Sequence, residues 1–448
     1  MERIERTLLF VVIALVAVTG AGMWWLWPTP ESTPVFPGAE LYPGVVRSAT
    51  TYDCPEDDPA EEFGFTRTGP CQEVDVEIVG GPDEGTVFEI DTGLEDYPVF
   101  DAGDRVRVGI ASAPGEDPNY YVADFARIRP LLVLVLLFFA VAVAIGRWHG
   151  VRSLVGLATS LAVIVAFIVP AILAGENPFL VAVVGALAVM LVTLYLAHGL
   201  TVKTTAAVVG TASALALTAI LGLVFVEIAE LTGFSSEEAN LARFAIQGLD
   251  LRGLVLAGLV IGALGVLDDV TVSQASTVFA VHDANPDQGW GDVFRRAMAV
   301  GRDHIASTVN TLVLAYVGAS IPLIVLFTSS GSPVGEIANA EVVAEEIVKT
   351  LVGSIGLISA VPLTTALATS VAIRREVRTL PLPPHLREDV DEDELTEEEL
   401  AHRRWIAFLR EGSADIPPRP DEITEAVEPD GSGPALGGDD EEPPPAEE

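Results

Sequence analysis

The sequence predicts an all-α membrane bundle of about eight transmembrane helices, with a small OB-like β-barrel domain inserted after the first helix. Three observations lead there: apolar runs of about 20 residues, period-two alternation confined to one segment, and charge gathered into two blocks. Half of the 448 residues are hydrophobic and the mean hydropathy is +0.45. A run of about 20 apolar residues covers roughly 30 Å of hydrocarbon at about 1.5 Å per residue, and a buried helix of a soluble protein rarely needs so unbroken a run.

The first run, residues 8–27, follows Arg3 and Arg6 and ends on Trp24, Trp25 and Trp27, where an aromatic belt would sit. It is longer than a signal-peptide core and lacks an A-x-A cleavage pattern, so residues 1–27 read as an uncleaved anchor. Residues 28–129 read as an extracytoplasmic linker and β-domain. Val74, Val76 and Ile78 alternate with acids, and Val106, Val108 and Ile110 alternate with Arg105, Arg107 and Gly109, the pattern of half-buried strands. With strands expected at 45–52, 86–90 and 119–128, five short strands suit a small closed barrel of the oligonucleotide/oligosaccharide-binding type. Cys54 and Cys71, the two cysteines of the chain, both fall here and form a disulfide candidate.

Seven further runs follow at about 130–146, 151–173, 178–197, 204–227, 251–272, 309–329 and 350–373, so residues 130–373 read as a seven-helix membrane domain. With the N-terminus cytoplasmic, the inner segments carry Arg147, Arg152, Lys203, Arg295, Arg296, Arg302, Arg374, Arg375 and Arg378, as the positive-inside rule requires. Both termini are then cytoplasmic and the β-domain is outside, the side on which a cysteine pair oxidises.

The net charge of −38 sits mostly outside the bundle: residues 28–129 hold 22 acids and 6 bases, and residues 379–448 hold 22 acids and 5 bases. Such segments repel nucleic acid and anionic lipid, which argues against a nucleic-acid partner. Residues 374–448 read as an acidic disordered cytoplasmic tail, interrupted at 394–410 by a short helix former. No Walker, Rossmann, G-x-S-x-G or H-E-x-x-H motif is present, so neither an enzyme nor a cofactor is expected, and the residues leave a metal undecided.

Polarity near the membrane concentrates at the end of the sixth run and the start of the seventh. Asp268 lies 16 residues after Arg252, about 24 Å along a helix axis, where an unpaired carboxylate costs roughly 2.5–3.5 kcal/mol and so faces protein, water or an ion. Asp269, Ser273 and Ser276 share one helical face. On the incoming helix Asp303, Ser307 and Asn310 share another, with His304, Thr308 and Thr311 beside them. Two such stripes on consecutive antiparallel helices predict a polar seam able to relay protons or hold a small cation. The alternative is that the helix ends near Gly265 and the aspartates cap a cytoplasmic segment, with Ser and Thr as interhelical glue.

The stretches GVLDDVTVSQAS (265–276), GRDHIASTVNTLVLAYVGASIPLIVL (301–326) and GLISAVPLTT (356–365) resemble the signature segments of the YibE/YibF-like family of bacterial multi-pass membrane proteins. The resemblance implies the anchor, external β-domain and multi-pass architecture in a bacterial plasma membrane, and an aspartate followed by serines in the sixth span, here Asp268 or Asp269, Ser273 and Ser276. The sixth and seventh spans are also similar to those of SecD, SecF and the proton-driven resistance-nodulation-division superfamily, which implies proton coupling. The expectation is a permease-like or proton/cation-coupled protein, with a membrane scaffold or assembly factor as the alternative. Its expected partners are the lipid bilayer and a small ion or proton, and the glycines at 258, 262 and 265 suit a homo-oligomer.

Overall fold

A computed structural model describes residues 3–28, 40–53, 71–92, 98–111, 118–235, 237–246, 248–374, 396, 399–400 and 403–404. Residues Met1–Arg375 form one compact unit and Glu376–Glu448 a second. In the second, Thr396 and Glu399 exchange reciprocal backbone-to-side-chain hydrogen bonds of 3.0 and 3.3 Å, a capping box that starts a helical turn where the sequence places one. The remainder of the expected 394–410 helix lies outside the described residues.

The anchor is a helix, α1 (Arg3–Trp25). After it come β1 (Leu41–Tyr52), β2 (Cys71–Ile78), β3 (Val87–Thr92), β4 (Arg105–Ala111) and β5 (Asn119–Phe125), all antiparallel in the order β3-β2-β1-β4-β5. Alternation does what the sequence predicts: Val74, Val76, Ile78, Val106 and Val108 all bury on one face, around Val46 and Phe100. A bulge between Val46 and Ser48 bends the long central β1, whose first residues pair with β4 and whose last pair with β2. Gly109 lets the sheet curl tightly, because a Cβ there would lie 2.3 Å from the Tyr121 ring. The sheet is a curled half-barrel; among the described residues its edges, β3 and β5, form no ladder and meet through the stacked rings of Phe88 and Tyr120, 5.4 Å apart. Cys71 is fully buried and disulfide-bonded; Cys54 lies outside the described residues.

The helical part continues with α2 (Ile128–Val163), a π-helical turn at Ile164–Ile168, α3 (Val169–Leu173), α4 (Pro178–His198), α5 (Val202–Ile228), α6 (Glu237–Ala245), α7 (Leu251–Ala284), α8 (Trp290–Ala319), α9 (Ile321–Ser329), α10 (Val334–Asn339) and α11 (Glu341–Ala372). Three spans start on side-chain caps: Asn177 accepts from Leu180 N at 3.0 Å, Thr201 from Thr204 N at 3.1 Å, and Asp250 from Gly253 N at 3.0 Å. The π turn precedes Pro170, whose ring would clash with a regular α-helical carbonyl four residues back. Helices α5, α7 and α11 form the packed core of the bundle, α1 lies against α4 and α5, and α2 against α4.

Among the described residues six helices are long and apolar enough to cross a membrane, or seven if α8 and α9 are counted as one bent span. The sequence reading expects eight. The difference lies in Ile128–Leu173, one continuous stretch where two spans are expected, broken only at Arg147, whose φ of 50° and ψ of −129° are not helical. A Cβ on Gly150 would lie 2.1 Å from the carbonyl oxygen of Ala142. Eight residues along a straight helix are about 12 Å apart, so the chain doubles back sharply at Arg147. The seventh run also differs: its helix begins at Trp290 and breaks at Ser320, where Pro322 in the first turn of α9 lacks an N–H, and α9 leaves at 59°.

Candidate functional site

Helix α7 does not end near Gly265; it runs unbroken to Ala284, so Asp268 and Asp269 lie mid-helix and cap nothing. Asp268 sits on the side of α7 that faces α4 and the second half of α2. There it borders a cavity of about 450 Å³, with Ser153, Ser160, Thr193, His198 and Asp269 among its lining. Its Oδ2 is 3.4 Å from the Thr193 hydroxyl, and its buried Oδ1 has no hydrogen-bonding partner among the described residues. The Thr193 hydroxyl has one proton, and the carbonyl of Val189 at 2.8 Å is the better acceptor for it. The lone pairs of Thr193 then face Oδ2, an arrangement that a protonated carboxyl satisfies by donating. Asp269, one residue on, is exposed at the mouth of the same cavity.

The other expected residues are placed elsewhere. Ser273 is exposed; Ser276 is half-buried and donates to Val272 O at 2.8 Å within its own helix. On α8, Asp303, Ser307, Asn310 and Thr311 are exposed, and His304 is half-buried. The hydroxyls of Thr308 and Thr311 return to carbonyls one turn back, at 2.8 and 3.0 Å. Helix α8 turns Val293, Ala297 and Gly301 to the bundle instead. At Gly301 the approach is close, since a Cβ would meet Val361 at 2.6 Å and the Gln274 amide oxygen at 2.9 Å. The structure thus brings Asp268 and Asp269 together on the α2/α4 side of α7 and does not join them to the α8 stripe.

A second polar array, not foreseen from the sequence, runs through the α5/α7/α11 core. Thr211 and Thr271 share a hydrogen bond of 2.6 Å between α5 and α7. Gln274 donates to Thr365 Oγ1 at 2.7 Å and to Ala297 O at 3.0 Å, joining α7 to α11 and α8. Thr364 packs on Gly210 and Thr218 on Gly356, where a Cβ would lie 2.3 and 2.0 Å from the respective hydroxyls. His282, 2% exposed near the end of α7, has neither ring nitrogen partnered among the described residues. The heptad spacing of Thr204, Thr211 and Thr218 on α5 is the sequence signal for this array. Among the described residues no group of three or more His, Cys, Asp or Glu side chains could hold a metal ion.

No curated protein and no solved structure matches this chain. The model of the YibE/F-like protein family matches residues 134–374, more than half of its length and the whole region from α2 to α11, and the chain belongs to that family.

Proposed function

We propose that this multi-pass bacterial membrane protein is non-enzymatic and moves or is driven by protons or small cations, with Asp268 as the carrier. One observation carries the reading: a mid-helix carboxyl on a polar-lined cavity, with one oxygen facing the lone pairs of Thr193 and the other unpartnered. A carboxylate inside a membrane bundle is costly unless water, an ion or a partner compensates it, which makes such a residue functional by default. Asp269 at the mouth and His198 on the wall supply groups through which a proton enters or leaves. The similarity of the sixth and seventh spans to SecD and SecF supports proton coupling. In this reading the chain lies in the plasma membrane with eight crossings, Ile128–Leu173 counted twice for its reversal at Arg147. Both termini are cytoplasmic and the half-barrel is outside.

The test is flux. Wild-type protein in liposomes with an entrapped pH dye takes up protons under an imposed potential, and Asp268→Asn lowers the rate to that of protein-free vesicles while insertion and melting temperature stay the same. Normal flux in Asp268→Asn and in the Asp268→Asn/Asp269→Asn double variant would end the proposal, as would wild-type vesicles no leakier than empty ones.

The exposed Asp303, Ser307 and Asn310 on α8 favour a second reading, a scaffold or assembly factor, because polar side chains on the outside of a membrane helix seek another helix. That reading expects Asp303→Ala with Asn310→Leu to dissociate a complex in cross-linking experiments and Asp268→Asn to leave it intact.

A further inference from the structure

A second cavity lies away from Asp268, where α8 breaks. The 59° turn between α8 and α9 and the return through α10 leave a space of about 500 Å³ against the first turns of α11. Its walls are almost wholly apolar, with Val313, Leu323, Phe327, Ile337 and Leu351 among them. Leu351 is 55% exposed, so an apolar surface there is uncovered. The carboxylate of Glu346 also lines this space.

The charge around Glu346 does not balance. Lys349 lies 2.6 Å from Glu345 and 3.1 Å from Glu346, one cation serving two carboxylates. It sits closer to Glu345, which is buried and also accepts from Ser235. Glu341, one turn earlier, is taken up by Thr232 and the Gly233 N–H at 2.7 Å. The nearest arginine on α7, Arg252, pairs with Glu227 at 3.3 Å. The surplus negative charge therefore rests on the one carboxylate of this group that borders the apolar cavity. Helix α11 has 32 residues, about 48 Å, against roughly 30 Å of hydrocarbon. Glu346, in its second turn, then stands near the interface with the apolar walls reaching inward.

We infer that this cavity binds a lipophilic cation, a compact apolar body carrying one positive charge, with the charge at Glu346 and the apolar part between α9 and α11. The volume falls in the range of sites for drug-sized ligands, about 300–1,000 Å³. Burial of apolar surface drives entry at about 25 cal/mol per Å². The carboxylate selects the sign of the charge, which a site made of lipid-like walls alone would not do. A two-chain phospholipid is too large for the space and brings a phosphate against Glu346, so a free cation is the occupant the geometry fits. The binding does not depend on Asp268.

The experiment measures the polarisation of rhodamine 6G, a fluorescent lipophilic cation, with full-length protein in phosphatidylcholine nanodiscs. Saturable one-to-one binding is expected, displaced by tetraphenylphosphonium and not by tetraphenylborate, an anion of the same shape. Glu346→Gln should weaken binding about tenfold and Glu346→Asp should retain it. Leu351→Trp, which fills the space, should abolish it, and Asp268→Asn should leave it unchanged. Melting curves identify any variant that fails to fold, and Glu346→Asp and Leu351→Trp then decide separately. Equal displacement by tetraphenylborate, unaltered binding in Glu346→Gln, or no saturable binding would overturn the inference. Displacement by added phosphatidylethanolamine but not by tetraphenylphosphonium would assign the cavity to a lipid headgroup and overturn it too.

Discussion

Replacing Gly210 by alanine tests the packing of the α5/α7/α11 core at its tightest point. The new Cβ would sit 2.3 Å from Thr364 Oγ1, 3.1 Å from its Cβ and 3.3 Å from its Cα. The hydroxyl could rotate away, but the Cα belongs to the backbone of a fully buried residue on α11 and has nowhere to retreat. Overpacking of this kind costs about 1–3 kcal/mol, offset by up to about 1 kcal/mol from the better helix propensity of alanine. The expected net loss is about 1–2 kcal/mol. Thr364→Ala removes the closest contact, so in that background Gly210→Ala should cost under about 0.5 kcal/mol, a coupling of about 1 kcal/mol. Reversible unfolding of the four proteins of this double-mutant cycle in mixed micelles measures the coupling. A neutral Gly210→Ala, or equal costs in both backgrounds, would refute the packing described for this junction.

Gln274→Leu removes the donor that ties α7 to Thr365 and Ala297, and two interhelical hydrogen bonds at about 0.6 kcal/mol each predict a loss of about 1.2 kcal/mol in the same unfolding assay. Thr211→Val and Thr271→Val each break one shared bond, so the double variant should cost little more than either single one, by double-mutant unfolding. Cys71→Ser should lower the stability of the β-domain by about 3 kcal/mol, seen as a lower melting temperature that reductant reproduces in the wild type and leaves unchanged in the variant.

The strands were legible because period two has one solution: with Val74, Val76 and Ile78 inward, Glu73, Asp75 and Glu77 must face the other way. The spans were legible because hydrocarbon thickness fixes their length. Rotation of a helix about its axis is less constrained, and there the sequence misled. Reading polarity on α8 as the inward face put Asp303, Ser307 and Asn310 against Asp268. In a membrane the small residues mark the contact, and the spacing of Val293, Ala297 and Gly301 held that signal. The tight reversal at Arg147 leaves no loop of turn residues to announce it; only Gly150, where a side chain would strike Ala142, permits it. The cavity beneath α9 follows from the angle at Ser320, and Pro322 signals a break without giving its direction.

Whether chemistry resides in the α2/α4/α7 groove or in a seam between α7 and α8 is decided by proton flux measured side by side for Asp268→Asn and Asp303→Asn in liposomes. The groove account predicts at least about a tenfold loss, some 1.4 kcal/mol on the barrier, for Asp268→Asn and wild-type rates for Asp303→Asn. Loss of flux in Asp303→Asn with Asp268→Asn unaffected would contradict it.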